Sequence, residues 1–418
     1  MSATVIQSGK MVGAEEKVDN FILLAEQVRK GAEGLRTLGP DGIIDLLDKY
    51  GRTVQDLKIR DIEGVQFLSL WLRRGNLEKV LKTSFSDEKI LAEFVGEGRK
   101  RMRAQPRGLV CHWMAGNVPT LGLFSLFQSM LVMNSNILRI PAESVETMTR
   151  LLKIMSESDA SPLMDSFSVV AFPSSDAILN SSLSSVADAR VVWGGKEAVE
   201  AITGLPKQVH CEDVVLGPKF SFAIMDKKAL ESPDIKLILR RLVGDIQVFE
   251  QSACSSPQVL FFEKGIDPGR LMSLLAEEFG SMASRNPKTE IDNSTASQII
   301  LNRAKYALSP DNDVKCSNGA DWTLLYDTKV RFEEPVQSRT LFVKPIDSVM
   351  DVLDLVTNKV QTVGCEIHDR EKLLRFADAA TLRGVARCVP FGQMNFYDTP
   401  WDGMLVLTRL VRFCSLTE

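Results

Sequence analysis

The pattern of apolar and polar positions along the chain changes near residue 100. Up to that point apolar residues recur at helical spacing, as in "VDNFILLAEQVRKGAEGL" and "DIEGVQFLSLWLRRGNLEKVL". Beyond residue 106, short uninterrupted apolar runs alternate with helical patterns. Strands of a parallel sheet are buried on both faces and therefore show such uninterrupted runs. The chain is thus predicted to begin with a helical region and to continue as alternating strands and helices.

Four strand–helix pairs are predicted between residues 107 and 204. The strands are "RGLVCHWM" (107–114), "SNILRIP" (135–141), "FSVVAFP" (167–173) and "ARVVWGG" (189–195). The helix after the first strand is predicted to have Pro119 at its first position, where proline is favoured. This succession is typical of a doubly wound α/β fold with a parallel sheet.

The alternation restarts after the apolar run 219–226. A helix is predicted over 232–251, with Ser232 as its N-terminal cap and Pro233 in its first turn. The predicted strands of this part are 257–263, 338–346 and 360–369. Residues 285–335 have the least regular pattern, which predicts long loops. These features predict a second α/β domain.

Length and composition are those of an ordinary globular protein. At 418 residues the chain is too long for one simple core, so two or three domains are expected. Hydrophobic residues make up 44% and charged residues 25%, which is normal for a water-soluble protein. The net charge is -4 and no basic stripe with interleaved aromatic residues occurs, so nucleic acid is not an expected partner.

Targeting and redox features predict a cytoplasmic protein. The N-terminal "MSATVIQSGKMVGAEEK" lacks the apolar stretch of a secretory signal. The most apolar run, 118–133, is too short to cross a membrane and contains Gln128, so it is predicted to be a buried helix. Seven cysteines occur without C-x-x-C spacing, which is typical of free thiols in a reducing compartment.

Cys254, in "QSACSSPQ", is the first candidate for chemistry. Its neighbours are small and polar, which suits close approach by a ligand, and Pro257 ends any helix at this point. It lies at a predicted helix–strand junction, where loops commonly carry function. A nucleophilic cysteine must be a thiolate. The sequence does not show what would lower the pKa of this thiol, and a small core residue is the alternative.

Asn117, in "HWMAGNVPT" (112–120), follows the first predicted strand. Ligands in open α/β sheets bind outside the carboxyl ends of the strands. An asparagine amide there can donate a hydrogen bond to an oxyanion. Gly-Asn is also a common turn pair, so a turn without catalytic function is the alternative. His112 is a second candidate, although strand alternation is equally consistent with burying it.

The third candidate is the strand-to-helix junction at Gly194 and Gly195. Backbone amides at a helix N-terminus can hold a diphosphate. The full G-x-G-x-x-G fingerprint is absent, so this motif alone is weak. The sequences "CEIH" (365–368) and "HC" (210–211) lack paired ligand spacing, and the chain has three histidines, so no metal site is predicted.

The order of these pieces resembles a known family. Asn117, then "RIPAE", "WGG", "LGPK" and Cys254 follow the order of the aldehyde dehydrogenase superfamily. Within it, "HWMAGNVPTLG", "VVWGGKEAVEAI", "LGPKFSFAIM", "QSACSSPQ" and "PWDGMLVLTRLVRF" resemble the LuxC-type acyl-CoA reductases. The resemblance covers residues 100–418, and its specificity lies in the joint order rather than in any single piece.

The resemblance implies an aldehyde dehydrogenase-like α/β fold with two parallel-sheet domains and the active site in the cleft between them. Residues 1–100 are expected to form a helical region packed on the cofactor domain. Residues 101–226 are expected to form the nucleotide-binding domain, and 227–390 the catalytic domain with Cys254. Residues 391–418 are expected to return to the cofactor domain or to an oligomer interface.

The resemblance also implies a mechanism. Cys254 would attack an acyl thioester to give an acyl-cysteine, which reduced nicotinamide would convert to an aldehyde. The Asn117 amide and the Cys254 backbone N–H would hold the oxyanion. Glu333 and Glu334 are the candidates for the carboxylate that contacts the nicotinamide ribose.

A set of residues is assigned to the cofactor by the resemblance. They are Arg139, Pro141, Glu143, Trp193, Gly194, Gly195 and Gly217. The two adjacent glycines match the turn that meets the diphosphate, and Glu143 matches an acidic residue at the adenosine ribose. The family's nucleotide-contacting lysine falls at Ile140, so Arg139 is expected to reach the ribose or a 2′-phosphate instead. NADPH is the expected cofactor, and NADH is the alternative because Glu143 would repel a 2′-phosphate.

One departure from the superfamily bears on the reaction. Oxidising aldehyde dehydrogenases carry a glutamate in "ELGGK" that activates water. Here the stretch is "VLGPK", with Val215 at that place and Pro218 replacing a glycine. No base at this position can hydrolyse the acyl-enzyme, which favours acyl reduction. An oxidising enzyme that uses Glu212 or Asp213 as its base is one alternative.

Another alternative is a non-catalytic or acyl-transferring component of a multi-enzyme complex. LuxC-type reductases work with acyl-transferase and acyl-protein synthetase partners, so the resemblance implies such partners here. It also implies a homo-oligomer, either a dimer or a tetramer. The acyl donor, whether CoA or a protein, stays open.

Overall fold

A computed structural model describes residues 3–6, 17–18, 21–57, 59, 61–288 and 291–418. The chain divides into two compact units. The first unit is Met1–Pro218 together with Tyr397–Glu418, and the second is Lys219–Phe396. Each contains a largely parallel sheet with helices, so the predicted α/β class is confirmed.

The first unit is built on a seven-stranded sheet among the described residues, with the order β2-β1-β6-β5-β4-β7-β8. The strands of this part are β1 Ala3–Ile6, β2 Lys17–Val18, β3 Lys100–Pro106, β4 Leu109–Trp113, β5 Ser135–Ile140, β6 Phe167–Ala171, β7 Ala189–Trp193 and β8 Glu212–Leu216. Strands β4 to β8 are mutually parallel, β1 joins β6 in the antiparallel sense, and β3 lies outside this sheet.

The helices of this part cover both faces of the sheet. They are α1 Phe21–Asp56, α2 Val65–Trp71, α3 Arg74–Ser84, α4 Leu121–Leu131, α5 Val145–Ser156, α6 Ala177–Val186 and α7 Lys196–Thr203. Helix α1 is interrupted at Gly39, whose φ of 64° lies in the left-handed region. Helix α4 begins two residues later than predicted, because Pro119 belongs to a turn in which the Leu121 N–H donates to the Val118 carbonyl at 3.1 Å.

Alternate residues of the central strands serve two different cores. On β5, Leu138 packs into the core that contains most of α1 to α5, whereas Ile137 packs into a second core with the start of α1 and with α6. On β4, Val110 and Cys111 divide in the same way. Burial on both faces explains why these strands have continuous apolar runs. The N-terminal helices therefore share their hydrophobic core with the sheet.

The second unit has a seven-stranded sheet among the described residues, with the order β11-β12-β13-β10-β9-β14-β15. Its strands are β9 Phe220–Met225, β10 Pro257–Glu263, β11 Asp313–Cys316, β12 Thr323–Tyr326, β13 Thr340–Ile346, β14 Val360–Glu366 and β15 Arg387–Val389. All neighbours pair in parallel except β11 and β12. Its helices are α8 Lys227–Leu230, α9 Ile235–Gln247, α10 Pro268–Arg285, α11 Asn293–Ala307 and α12 Arg370–Leu382.

Three features of the second unit differ from the sequence-based expectation. Strand β9 pairs with β10 and β14, so the second unit begins at Lys219. Helix α9 begins at Ile235 rather than at Pro233, and Asp234 rather than Ser232 is at the N-cap position; the Ser232 side-chain oxygen accepts from the Asp234 N–H before the helix. The region 285–335 contains α11, β11 and β12 rather than long loops; α11 buries only Ile299 and Tyr306, so its apolar pattern is weak.

The last segment of the chain belongs to the first unit. It contains α13 Val406–Arg409 and β16 Val411–Thr417, and β16 pairs with β3 in the antiparallel sense. The Gln128 amide donates to the Tyr397 hydroxyl at 2.8 Å, which fixes the start of this segment on helix α4. Of the helices in the described residues, none combines the length and the apolarity that a membrane crossing requires.

Candidate functional site

A topological switch point lies at the carboxyl ends of the central strands of the first sheet. The chain runs from β4 to β5 and β6 on one side, and then to β7 and β8 on the other. This reversal places a topological switch point between β4 and β7, where ligands of such sheets bind. The loop after β4 contains Asn117, and the turn after β7 contains Gly194 and Gly195. The structure therefore brings these predicted residues to one end of the sheet.

The loops after β4 and β5 approach each other closely at Gly116. A Cβ atom on Gly116 would lie 2.4 Å from Glu143 Oε1 and 3.2 Å from Pro141 Cγ. Glycine is thus required for this approach unless Glu143 moves. The side chains of Glu143 and Asn117 are both exposed. Three of the predicted residues, Asn117, Pro141 and Glu143, accordingly belong to one surface at the strand ends.

The turn from β7 into α7 leaves room for a ligand. Gly195 is the residue before α7, and apart from Gly195 and its two chain neighbours no atom lies within 4 Å of the place where its Cβ would be. Gly217, after β8, has the same open surroundings. The first N–H groups of an α-helix have no partner within the helix and attract anions. These residues fit a diphosphate group at this position.

Arg139 and Trp193 are held inside the first unit. Arg139 is 8% exposed; its Nη2 donates to the Phe172 carbonyl at 2.8 Å and its guanidinium lies 5.5 Å from the Phe172 ring centroid. Burial lowers the pKa of Arg139. Trp193 is 7% exposed, and its indole N–H donates to Ser125 Oγ at 3.2 Å. Both side chains thus have structural contacts, in contrast to the exposed Glu143.

His112 is a core residue rather than a catalytic one. Its ring nitrogens lie 2.8 Å from Ser125 Oγ and 3.1 Å from Asn136 Oδ1, and the side chain is fully buried. Burial lowers the pKa of His112 to about 4, so the ring is neutral at pH 7. The structure therefore decides between the two interpretations that the sequence left open.

Cys254 lies half-buried in the segment between α9 and β10, after an unusual turn. Phe249, Glu250 and Gln251 have φ values of 56°, 47° and 66°, in the left-handed region. The helix predicted over 232–251 consequently ends at Gln247. Such conformations cost non-glycine residues about 1–3 kcal/mol each, so the surrounding structure must hold them in place.

Gln251 provides much of that restraint. Its Oε1 accepts from the Thr340 N–H at 2.8 Å, and its Nε2 donates to the carbonyls of Pro257 at 2.7 Å and Thr340 at 2.8 Å. A second left-handed turn, 337–339, lies beside the first, and the Ser338 N–H donates to the Glu250 carbonyl at 2.8 Å. The residues before Cys254 are therefore fixed to strand β13.

The backbone of Cys254 is fixed from the sheet as well. Ser221 Oγ donates to the Cys254 carbonyl at 2.7 Å and accepts from the Thr362 N–H at 3.1 Å. On the other side of the cysteine, the Ser255 and Ser256 hydroxyls lie 2.8 and 3.2 Å from Asn395 Oδ1. These partners were not found in the sequence, where nothing links Ser221 or Asn395 to residue 254.

Buried charges lie close to the left-handed turn. The Glu250 carboxylate is bonded to the guanidinium of Arg339, which is 1% exposed. Lys288 Nζ lies 3.6 Å from the same carboxylate, and burial lowers the pKa of Lys288. These ion pairs add to the hydrogen bonds that hold the turn.

The two glutamates proposed for the nicotinamide ribose differ in environment. Glu333 Oε1 accepts from Lys344 Nζ at 2.9 Å and from Arg331 Nε at 2.7 Å. Lys344 is fully buried and also bonds Asp327 at 2.8 Å. Glu334 is exposed. Glu333 is thus part of an ion-pair network, and Glu334 is the carboxylate that faces solvent.

The two acids considered as alternative bases are both ion-paired. Burial tends to raise the pKa of Asp213, but hydrogen bonds from Arg190 and Lys207, at 2.7 Å each, outweigh it and lower the pKa overall. Glu212 is bonded to Arg409 and lies 3.3 Å from Arg107. The lowered pKa makes Asp213 a weak base, and the Glu212 carboxylate is occupied by two arginines. In the part of the chain that the structure describes, no group of three or more His, Cys, Asp or Glu side chains is arranged to hold a metal ion.

Comparison with solved structures shows the aldehyde dehydrogenase fold. A structure of lactaldehyde dehydrogenase matches with a TM-score of 0.70 over 100% of this chain and 98% of that chain, at 13% sequence identity. The predicted aldehyde dehydrogenase-like fold is thereby confirmed.

Sequence comparison is more specific. The long-chain acyl-protein thioester reductase of Vibrio harveyi is 29% identical over 355 residues, which cover 82% of this chain and 71% of the relative. The protein of the same name from Photorhabdus laumondii is 27% identical over 352 residues, covering 82% and 70%. The family described as acyl-CoA reductase (LuxC) matches residues 44–413. Because this match spans most of the chain, the protein belongs to the acyl-CoA reductase (LuxC) family.

Proposed function

We propose that the chain reduces an acyl thioester to an aldehyde through an acyl-cysteine at Cys254, with NADPH as the reductant. The observation that carries the proposal is the Cys254 segment itself. In a member of the LuxC family, a half-buried cysteine has its backbone carbonyl fixed by Ser221 and its flanks fixed by Gln251 and Asn395. Such restraint is what a positioned nucleophile requires.

In the first step the Cys254 thiolate attacks the acyl carbonyl carbon. A new C–S bond forms, the bond to the leaving sulfur breaks, and the released thiolate takes up a proton. The negative charge that develops on the carbonyl oxygen would be stabilised by the Asn117 amide and the Cys254 N–H, as the resemblance implies. Loss of one such donor typically costs about 2.7–4 kcal/mol.

The reduction completes the cycle. A reduced nicotinamide, when bound, supplies the hydride that reduces the acyl carbon. The resulting thiohemiacetal oxyanion on Cys254 then collapses as its C–S bond breaks, which releases the aldehyde and restores the Cys254 thiolate. Val215 supports this direction, because it offers no base for hydrolysis, and Glu212 and Asp213 are occupied in ion pairs.

The nucleotide would bind at the carboxyl ends of β4, β5 and β7. The open space at Gly195 and Gly217 fits the diphosphate, and Glu143 is exposed where the ribose is expected. NADPH is proposed from the family resemblance. Arg139 is not proposed as the 2′-phosphate ligand, because its guanidinium is bonded to the Phe172 carbonyl.

The acyl donor is proposed to be a long-chain acyl group on CoA or on a protein. The names of the relatives in Vibrio harveyi and Photorhabdus laumondii support a long-chain acyl-protein donor. An acyl-transferase and an acyl-protein synthetase are the proposed partners, and a dimer or tetramer the proposed assembly. A reducing cytoplasm is supported by the seven cysteines, none of which forms a disulfide in the described structure.

Intact-protein mass spectrometry tests the proposal. The protein is mixed with acyl-CoAs of increasing chain length and with an acylated carrier protein, first without and then with NADPH. We expect one acyl adduct that disappears with NADPH as aldehyde forms. The Cys254→Ala protein should give no adduct, whereas Cys316→Ala, which removes an exposed thiol, should behave like the wild type.

Two outcomes would contradict the proposal. An adduct that persists in Cys254→Ala would assign the nucleophile to another residue. Acid rather than aldehyde as the product would favour an oxidising or hydrolytic enzyme. A non-catalytic role is tested separately, because NADPH that binds the folded protein raises its melting temperature.

A further inference from the structure

The loop 390–396 contacts the residues that follow Cys254. Its Asn395 is 7% exposed, and both ends of its amide are bonded. Nδ2 donates to the Asp245 carbonyl at 2.7 Å, and Oδ1 accepts from the hydroxyls of Ser255 at 2.8 Å and Ser256 at 3.2 Å. One side chain thus connects the last turn of α9 to the cysteine segment.

The orientation of this amide is fixed by its partners. A flipped amide would place its oxygen against the Asp245 carbonyl oxygen, where no proton is available. The two serine hydroxyls would also lose their acceptor. Asn395 therefore offers a single acceptor atom that two hydroxyl donors share.

The loop that carries Asn395 is itself restrained. The Asp245 carboxylate accepts from the N–H groups of Gly392 at 2.6 Å and Met394 at 3.2 Å. From the other side, Arg387 donates to the carbonyl of Phe396 at 2.9 Å. Because hydrogen bonds restrain both N–H and C=O groups of this loop, the position of Asn395 is fixed.

Asn395 completes a set of three attachments around Cys254. Gln251 fixes the residues before the cysteine, and Ser221 fixes its carbonyl. The residues directly after it are attached through their side chains to Asn395. We propose that Asn395 is a positioning residue, which acts through Ser255 and Ser256 to hold Cys254 Sγ where it can attack an acyl carbonyl. This inference rests on the proposed function of Cys254.

The physical reason lies in the sensitivity of attack to geometry. Displacement of a reacting atom by about 1 Å can lower a rate by a factor of about 10². Without the Asn395 oxygen, the two buried hydroxyls must find other partners, and the backbone between them and Cys254 shifts with them. Asn395 touches neither substrate nor Sγ in this scheme, so substrate binding should be little affected.

The test compares Asn395→Ala with Gln393→Ala. Gln393 lies in the same loop with an exposed side chain, so its variant controls for general disturbance of the loop. For Asn395→Ala we expect kcat for acyl reduction to fall by about 10- to 100-fold while KM stays within about two-fold. The pH midpoint for alkylation of Cys254 by iodoacetamide, measured in a Cys316→Ala background, should be unchanged.

A double-mutant cycle shows whether the effect passes through the serines. The pair Ser255→Ala/Ser256→Ala should lower kcat about as much as Asn395→Ala, and the triple variant should be no slower than either. If the effects of Asn395→Ala and the serine pair multiply, Asn395 acts by another route and the inference is wrong. A kcat of Asn395→Ala within two-fold of wild type would also overturn it.

Two safeguards keep the result decisive. If thermal unfolding shows that Asn395→Ala does not fold, the single variants Ser255→Ala and Ser256→Ala are compared with the serine pair instead. Because each single variant leaves Asn395 one hydrogen-bond donor, each should lower kcat less than the pair does. A wild-type kcat in the pair would overturn the inference. If the wild type itself forms no adduct that depends on Cys254, the proposed function fails. A wild type that acylates and an Asn395→Ala protein that acylates equally fast would contradict only the inference.

Discussion

The strand ends of the first sheet and the Cys254 segment of the second unit are shaped in opposite ways. At the strand ends, glycines create the space, and the side-chain positions of Gly195 and Gly217 are open. Around Cys254 the backbone is tied by buried side-chain amides, those of Gln251 and Asn395. The first arrangement suits a ligand that binds backbone N–H groups, and the second suits a side chain that must not move.

This difference predicts how each region responds to substitution. At the strand ends, removing an exposed side chain should alter ligand contacts without altering stability. In the Cys254 segment, removing one amide leaves several buried polar groups without partners, so stability and activity should fall together. Four substitutions test this contrast.

Asn117→Ala should have the largest effect on rate. If its amide holds the oxyanion, kcat should fall by about 10²–10³-fold. Because Asn117 is exposed, the melting temperature should change little. Steady-state kinetics and thermal unfolding measure the two quantities on the same sample. A variant that loses both stability and activity would contradict the expected difference between the two regions.

Gln251→Ala should show the opposite balance. It removes three hydrogen bonds to Thr340 and Pro257, and we expect the free energy of unfolding to fall by about 2–4 kcal/mol. Urea unfolding measures this loss. Gln393→Ala, which removes an exposed amide in the same unit, should cost less than about 0.5 kcal/mol. Equal losses in the two variants would mean that the Gln251 bonds do not hold the turn.

Asp245→Asn should change the pH dependence of stability. Burial raises the pKa of Asp245 to about 7, and Arg387 is the charged neighbour that opposes this shift. Because the folded-state pKa exceeds the unfolded value, the stabilisation is complete below about pH 4 and is lost as the pH rises through 7. Between pH 5 and 7 the wild type should lose on the order of 2 kcal/mol more than Asp245→Asn. Urea unfolding at several pH values measures the difference, and parallel curves would contradict the assignment.

Glu143→Gln should have the smallest effect. If Glu143 faces the adenosine ribose, loss of its charge should raise kcat/KM for NADPH relative to NADH by about 3- to 10-fold. The exposed Glu197→Gln, in the first turn of α7, provides a matched control for the loss of one negative charge near the strand ends. An unchanged cofactor ratio would remove Glu143 from the ribose position.

Much of the fold could be predicted from the sequence because the central strands are buried on both faces. Strands β4, β5, β6 and β7 appear as continuous apolar runs, and the structure places them within one to two residues of the predicted bounds. Strand β8 begins with the ion-paired Glu212 and Asp213, so its apolar pattern is weak. Helix α11 was missed for the same reason, since it buries only two residues.

The candidate site was predictable only where local sequence determines it. The glycines after β7 and the loop after β4 each come directly after a strand that the sequence predicts. The structure brings both to the switch point. The environment of Cys254 depends on Ser221 and Asn395, which lie 33 and about 140 residues away along the chain. No glycine marks the left-handed turn at 249–251, so the sequence pattern continued the helix through it.

Because one unit is inserted into the other along the chain, the two units receive their last residues at different times during synthesis. The second unit, Lys219–Phe396, is inserted between two parts of the first. Tyr397, Trp401 and Leu407 belong to the same hydrophobic core as the helices near the N-terminus. Because domains fold as units while the chain grows, the inserted unit has all of its residues before the first unit has its last ones. The second unit can thus fold before the segment from Tyr397 onward completes the hydrophobic core of the first unit.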